Sequence, residues 1–145
     1  MDFQLSDFKH SIEIQIRFND VDGFNHINNA VIQEYFDLGK MDYLIKTLNY
    51  DYKNVENDNL VIVSYKTDFF SPVHLFDKLK VYTKVYQIGE KSLKILQWLV
   101  KKNEINPAVT CNSVMAGFIP SKEISIVIPD KWRVKLEEYE GEIRL

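Results

Sequence analysis

The sequence predicts an α+β domain: one antiparallel sheet of five or so strands together with a single long apolar helix. Three observations carry this. Five segments show the alternation or the β-branched and aromatic richness of strands. One segment repeats its apolar residues every three or four positions over about five helical turns. The later strands are joined by turns too short for a crossover, which forces antiparallel pairing.

The elements follow in order. Residues 10–18 alternate, with Ile12, Ile14, Ile16 and Phe18 on one side and Glu13, Gln15 and Arg17 on the other, as a half-buried strand does. A polar loop occupies residues 19–28. Val31, Tyr35, Leu38, Met41, Ile45 and Leu48 then form a helical stripe, widened on one flank by Ile32, Phe36 and Tyr43. Asn28 suits the N-cap. Residues 60–70, 78–88, 92–101 and 108–119 read as four further strands. Gly89-Glu90 turns the chain between the third and fourth strands, and Asn103 to Pro107 between the fourth and fifth. Pro129-Asp130 opens a short last helix, with proline near its first position. The prolines at 72, 107, 120 and 129 punctuate these segments. Periodicity alone also fits a cystatin-like arrangement.

Composition narrows the function classes. The 145 residues suit one domain, expected over 1–145, with no repeat, linker or low-complexity segment. A net charge of -3 gives no reason to expect nucleic acid or an anionic membrane surface. One cysteine, Cys111, excludes an internal disulfide and a multi-cysteine metal site. No 18-residue apolar run or secretory h-region is visible, so a cytoplasmic location is expected. No metal-ligand spacing, phosphate loop or nucleophile elbow occurs.

The chemistry-bearing stretch is Asp20 to Ala30, which packs two aspartates, a glycine, a histidine and three asparagines before the helix. Taken by itself, Asp22 fits a turn aspartate bonding its own loop, and His26 fits a loop anchor. The same residues also fit a reaction site at a helix N-terminus, where free amides and the dipole stabilise an oxyanion.

The stretch DVDGFNHINNAVIQEYFD resembles the motif of the 4-hydroxybenzoyl-CoA thioesterase family of hotdog-fold proteins. There a loop of the form D-x-D-x-x-G-H-x-N-N precedes a helix with a Y-F-E/D pair. Asp20, Asp22, His26, Asn28, Asn29, Tyr35, Phe36 and Asp37 match. Phe69-Phe70-Ser71-Pro72 and Phe76-Asp77 resemble the family's F-x-x-P and G-D. Ile88-Gly89 with Lys91-Ser92 resembles its hairpin turn, and Ile128-Pro129 the start of its last helix.

The resemblance implies a hotdog fold, with the sheet wrapped around the long helix, and an acyl-thioester hydrolase acting on acyl-CoA or acyl carrier protein. No cofactor or metal is implied. Asp22 would be nucleophile or general base, and the Asn29 N–H the oxyanion donor, while Asp20 braces the loop. His26, Phe70, Lys91 and Ser92 would bind substrate, the last two near the coenzyme A phosphates. A homodimer or homotetramer is implied, with sheets joined edge to edge and active sites at the subunit interface. Three residues depart from the pattern: Asn25 replaces the loop glycine, Phe76 the glycine before Asp77, and Glu90 a basic residue of some relatives. They keep open a non-catalytic acyl-CoA-binding or assembly protein. A weaker rival is a hotdog dehydratase built around His26.

Overall fold

The computed structural model describes residues 2–141 and Ile143. Its elements are β1 (His10–Ile14), α1 (Asn29–Leu48), β2 (Asn59–Phe69), β3 (Leu79–Ile88), β4 (Ser92–Lys101), β5 (Val109–Ile119), β6 (Ile124–Ser125) and α2 (Asp130–Glu140). Short 3-10 turns occupy Leu5–Asp7 and Phe18–Asp20. The sheet order is β1-β3-β4-β5-β2, with the two-residue β6 paired to β5. β1 runs antiparallel to β3, from His10↔Thr83 to Ile14↔Leu79. α1 carries the chain from β1 at one edge to β2 at the other. This antiparallel sheet with one 20-residue helix is the hotdog fold.

The chain forms two compact units that share these strands and α1. The first comprises the chain up to Tyr43 with Thr67–Thr83 and Gln97–Cys111. Its core joins Ile27, Ile32, Tyr35 and Phe36 to Val73, Leu79, Val81, Leu99 and Val109. Each such side chain contributes roughly 1.5–3 kcal/mol on burial. Gly39 lets the helix sit close to β3: a Cβ there would lie 2.5 Å from Val81 Cγ1. Buried Gln97 fixes the contact, donating from Nε2 to the Phe36 carbonyl (2.8 Å) and to Thr83 Oγ1 (3.0 Å). His10 Nε2 meets Asp42 Oδ2 at 2.7 Å and ties β1 to the helix.

The second unit comprises Leu44–Lys66, Lys84–Leu96 and the chain from Asn112 onward. Tyr50 and Trp132 meet edge to face at 5.9 Å. Arg133 Nη2 donates to the carbonyls of Gly89 (2.6 Å) and Glu90 (2.9 Å), so α2 clamps the β3–β4 turn. Glu140, buried at the other end of α2, accepts from Lys84 Nζ at 3.2 Å and from the Val85 amide at 3.3 Å.

Two features differ from the sequence expectation. The first strand ends at Ile14, not at residue 18, because the Phe18–Asp20 turn forms; Phe18 then points to solvent. The buried face of α1 centres on Ile32, Phe36 and Tyr43, the expected flank, together with Gly39, which the expectation did not include. Leu38 and Ile45 of the expected stripe are exposed.

Candidate functional site

The loop between β1 and α1 is built around Asp20. Its carboxylate is 1% exposed and accepts the Tyr35 hydroxyl (2.6 Å), the Arg17 amide (3.0 Å) and Arg17 Nη2 (3.2 Å). Its carbonyl accepts the Asn28 amide at 2.8 Å. Burial pushes the Asp20 carboxyl up. The Tyr35 and Arg17 hydrogen bonds and the guanidinium charge outweigh it and hold the group below the usual aspartate range. Burial, then Asp20 itself, raises the Tyr35 phenol well above its ordinary value. Asp20 therefore fixes where the loop ends and α1 begins.

Asp22 has other surroundings. It is exposed, and its Oδ1 accepts the amides of Phe24 (2.9 Å) and His26 (3.3 Å). Its own amide donates to the His26 carbonyl at 2.8 Å. The loop closes tightly because Asn25 takes a left-handed backbone, φ 62°, in the place of the motif's glycine.

Asn28 caps α1: its Oδ1 accepts the Ala30 amide at 2.8 Å. The Asn29 N–H, the first of the helix, has no acceptor among the described residues. Ile27 donates to the Val73 carbonyl at 2.8 Å, and His26 forms an isolated bridge with His74. These bonds draw residues 69–73 against the helix start. A cleft of about 320 Å³ opens there, lined by His26, Asn29 and Ile32 on one side and Phe69 to Val73 on the other. Phe70 keeps its ring in solvent while its amide donates to the Ala108 carbonyl (2.8 Å).

The structure thus brings His26, Asn29 and Phe70 together, with Asp22 adjoining through the His26 amide and not itself lining the cleft. Lys91 lies in the β3–β4 turn and Ser92 opens β4, both in the second unit, and neither is among the lining residues. Phe76, which replaces the glycine before Asp77, is 88% exposed and is not among the residues that line the cleft.

Sequence reasoning missed His74, whose ring stands edge-on to His26 at 5.1 Å and whose Nδ1 is 3.7 Å from Asp77 Oδ2. Its place just past Pro72, between the F-x-x-P segment and Asp77, was the available signal. Asp77 Oδ2 accepts the His74 amide at 2.8 Å and closes that turn. Among the described residues no group of three or more His, Cys, Asp or Glu is placed to hold a metal ion.

Comparison with known proteins gives consistent relatives. The thioesterase-like superfamily matches residues 16–135. The uncharacterized protein YsmA of Bacillus subtilis (strain 168) is 30% identical over 103 residues, 71% of this chain and 68% of that protein. Two solved structures share the fold. The PA5185 protein of Pseudomonas aeruginosa strain PAO1 superposes with a TM-score of 0.85 at 21% identity, covering 97% of both chains. A thioesterase of Thermus thermophilus, complexed with coenzyme A and Zn, superposes with a TM-score of 0.82 at 22% identity, over 94% of this chain and 97% of that one.

Proposed function

The chain belongs to the thioesterase-like superfamily, and on that footing we propose that it hydrolyses acyl thioesters of coenzyme A, with acyl carrier protein as the alternative carrier. The observation that carries the reading is the Asn29 N–H, left without an acceptor among the described residues at a capped helix start that lines a cleft. Such an amide, with the helix dipole behind it, stabilises the oxyanion that forms when a thioester carbonyl is attacked. Asp22 supplies the carboxylate. Acting as general base it takes a proton from the attacking water; acting as nucleophile it forms an anhydride that water then opens. In either case the thiol leaves and the acid is released. The amides of Phe24 and His26 orient the carboxylate, while His26 and Phe70 contact the acyl-thioester portion. No cofactor takes part.

An assembly with a second copy completes this reading. β2 is an edge strand whose residues 61–66 are all exposed, including Val61, Ile62, Val63 and Tyr65 on both of its faces. An uncovered apolar edge of this kind is ordinarily paired or covered. Light scattering at micromolar concentration is expected to give at least a dimer; a single-chain mass counts against it.

The functional test is a panel of acyl-CoA esters with a free-thiol readout. Turnover supports the hydrolase. Saturable acyl-CoA binding without turnover supports the rival, an acyl-CoA-binding or assembly protein on the same fold.

A further inference from the structure

A second and larger opening lies in the first unit. β1 pairs with β3 only as far as Ile14↔Leu79. Beyond that point the chain runs off toward the Phe18–Asp20 turn, while β4 continues to Lys101. The divergence leaves a notch of about 760 Å³, within the range of small-ligand sites.

Lysines dominate its wall. Strand alternation buries Leu79 and Val81 and turns Lys78 and Lys80 outward. The Lys102 amide donates to the Lys78 carbonyl at 2.8 Å, which sets Lys78 and Lys102 side by side across the notch. With Lys101 they make four ammonium groups, against the carboxylates of Glu13 and Glu104 and of Asp77, whose Oδ2 lies 4.0 Å from Lys101 Nζ. Glu13 stands opposite Lys80 in register and offsets it. Lys78 and Lys102 have no carboxylate within 4.0 Å among the described residues. In a chain of net charge -3 this is a local excess of positive charge. Tyr82, its ring held edge-on by Phe8 at 6.0 Å, adds a rigid apolar wall.

Lys101 connects the notch to the cleft. It lines the notch, and its Nζ donates at 2.6 Å to the carbonyl of Pro72, which lines the cleft at Asn29.

We infer that the notch binds the phosphorylated nucleotide end of the substrate, a 3′-phosphorylated nucleoside diphosphate, chiefly through Lys78 and Lys102, with the base against Tyr82. The inference rests on the thioester reading above. It moves phosphate recognition away from Lys91 and Ser92, which line neither the notch nor the cleft.

The test is calorimetric titration of coenzyme A and 3′-dephospho-coenzyme A into the full chain at two salt concentrations. Lys78→Gln/Lys102→Gln is expected to weaken coenzyme A binding about tenfold or more, as loss of charge-assisted contacts does, and to flatten the salt dependence. The 3′-dephospho form is expected to lose less. Lys91→Gln is expected to bind as the wild type does, and turnover of an acyl-pantetheine lacking the nucleotide to be unchanged in the double variant. Wild-type affinity in the double variant, or a loss confined to Lys91→Gln, overturns the inference and leaves the thioester reading standing. A defect seen with acyl carrier protein but not with acyl-CoA also overturns it, in favour of an acidic protein surface. If the wild type neither binds nor turns over any coenzyme A ester, the inference and the thioester reading fall together.

Discussion

Asp20 is 1% exposed and holds a phenol, an amide and a guanidinium; Asp22, two residues on, is exposed and holds two amides of its own loop. The same side chain is a bolt in one position and a candidate reagent in the other. What separates them is which lone pairs are already committed. The Asp20 carboxylate is filled by groups up to 15 residues away, so its loss is felt as stability. Asp22 has formed only local bonds at the edge of an open cleft, so it retains capacity for water or a carbonyl carbon.

The largest expected effect sharpens that contrast. Asp22→Asn keeps the size and the local hydrogen bonding but removes charge and basicity. Steady-state thiol release is expected to show kcat lower by about 10²–10⁴-fold, the usual worth of a general base, with KM little changed.

Asp20→Ala should act on the other axis. It leaves the Tyr35 hydroxyl and the Arg17 amide without their acceptor, at a cost of about 2–4 kcal/mol, read from denaturant melts. The pH dependence follows from the same group. A carboxyl held below its usual range by the folded chain contributes stability above that range and loses it as pH falls through the lowered value. Wild-type stability should therefore decline below about pH 4, near the ordinary aspartate value, and the Asp20→Ala variant should decline less steeply there.

Smaller effects mark the helix that carries the site. Gly39→Ala gains about 1 kcal/mol of helix propensity. It also drives a Cβ to within 2.5 Å of Val81 Cγ1, a stiff β-branched side chain, and overpacking of that kind costs roughly 1–3 kcal/mol. The clash is expected to win, with a lower melting temperature. Asn28→Ala removes the cap at a cost of about 1 kcal/mol, without a selective loss of rate.

Much of the fold was legible because its signals are local. β3, β4 and β5 announce themselves by alternation and tight turns, and Pro129-Asp130 opens α2 where the proline rule places it. Asn28 as cap and Asn25 as a residue tolerant of left-handed backbone were likewise readable. The rotation of α1 was not. Leu38 and Ile45 are apolar yet exposed, while Gly39 and Lys40 lie buried, Lys40 with Asp37 Oδ1 3.9 Å away and its pKa lowered by burial. A stripe counted by hydrophobicity cannot find a face closed by a glycine and a lysine. The site divides in the same way. The loop, the helix start and the Tyr35–Asp20 pair all fall within one short stretch of sequence, but the cleft's other wall and the His26–His74 bridge bring in residues up to 48 positions away, a separation no short motif encodes.

The most direct test of the division of labour is thiol release from one well-hydrolysed acyl-CoA by wild type, Asp22→Asn and Asp20→Asn. Each is assayed below the lowest melting midpoint, with rates normalised to the folded fraction. Asp22→Asn is expected to be fully folded and at least about 10²-fold slower, with Asp20→Asn less stable but close to wild type per folded molecule. Near wild-type turnover by Asp22→Asn, with the loss appearing in folded Asp20→Asn, would contradict the assignment.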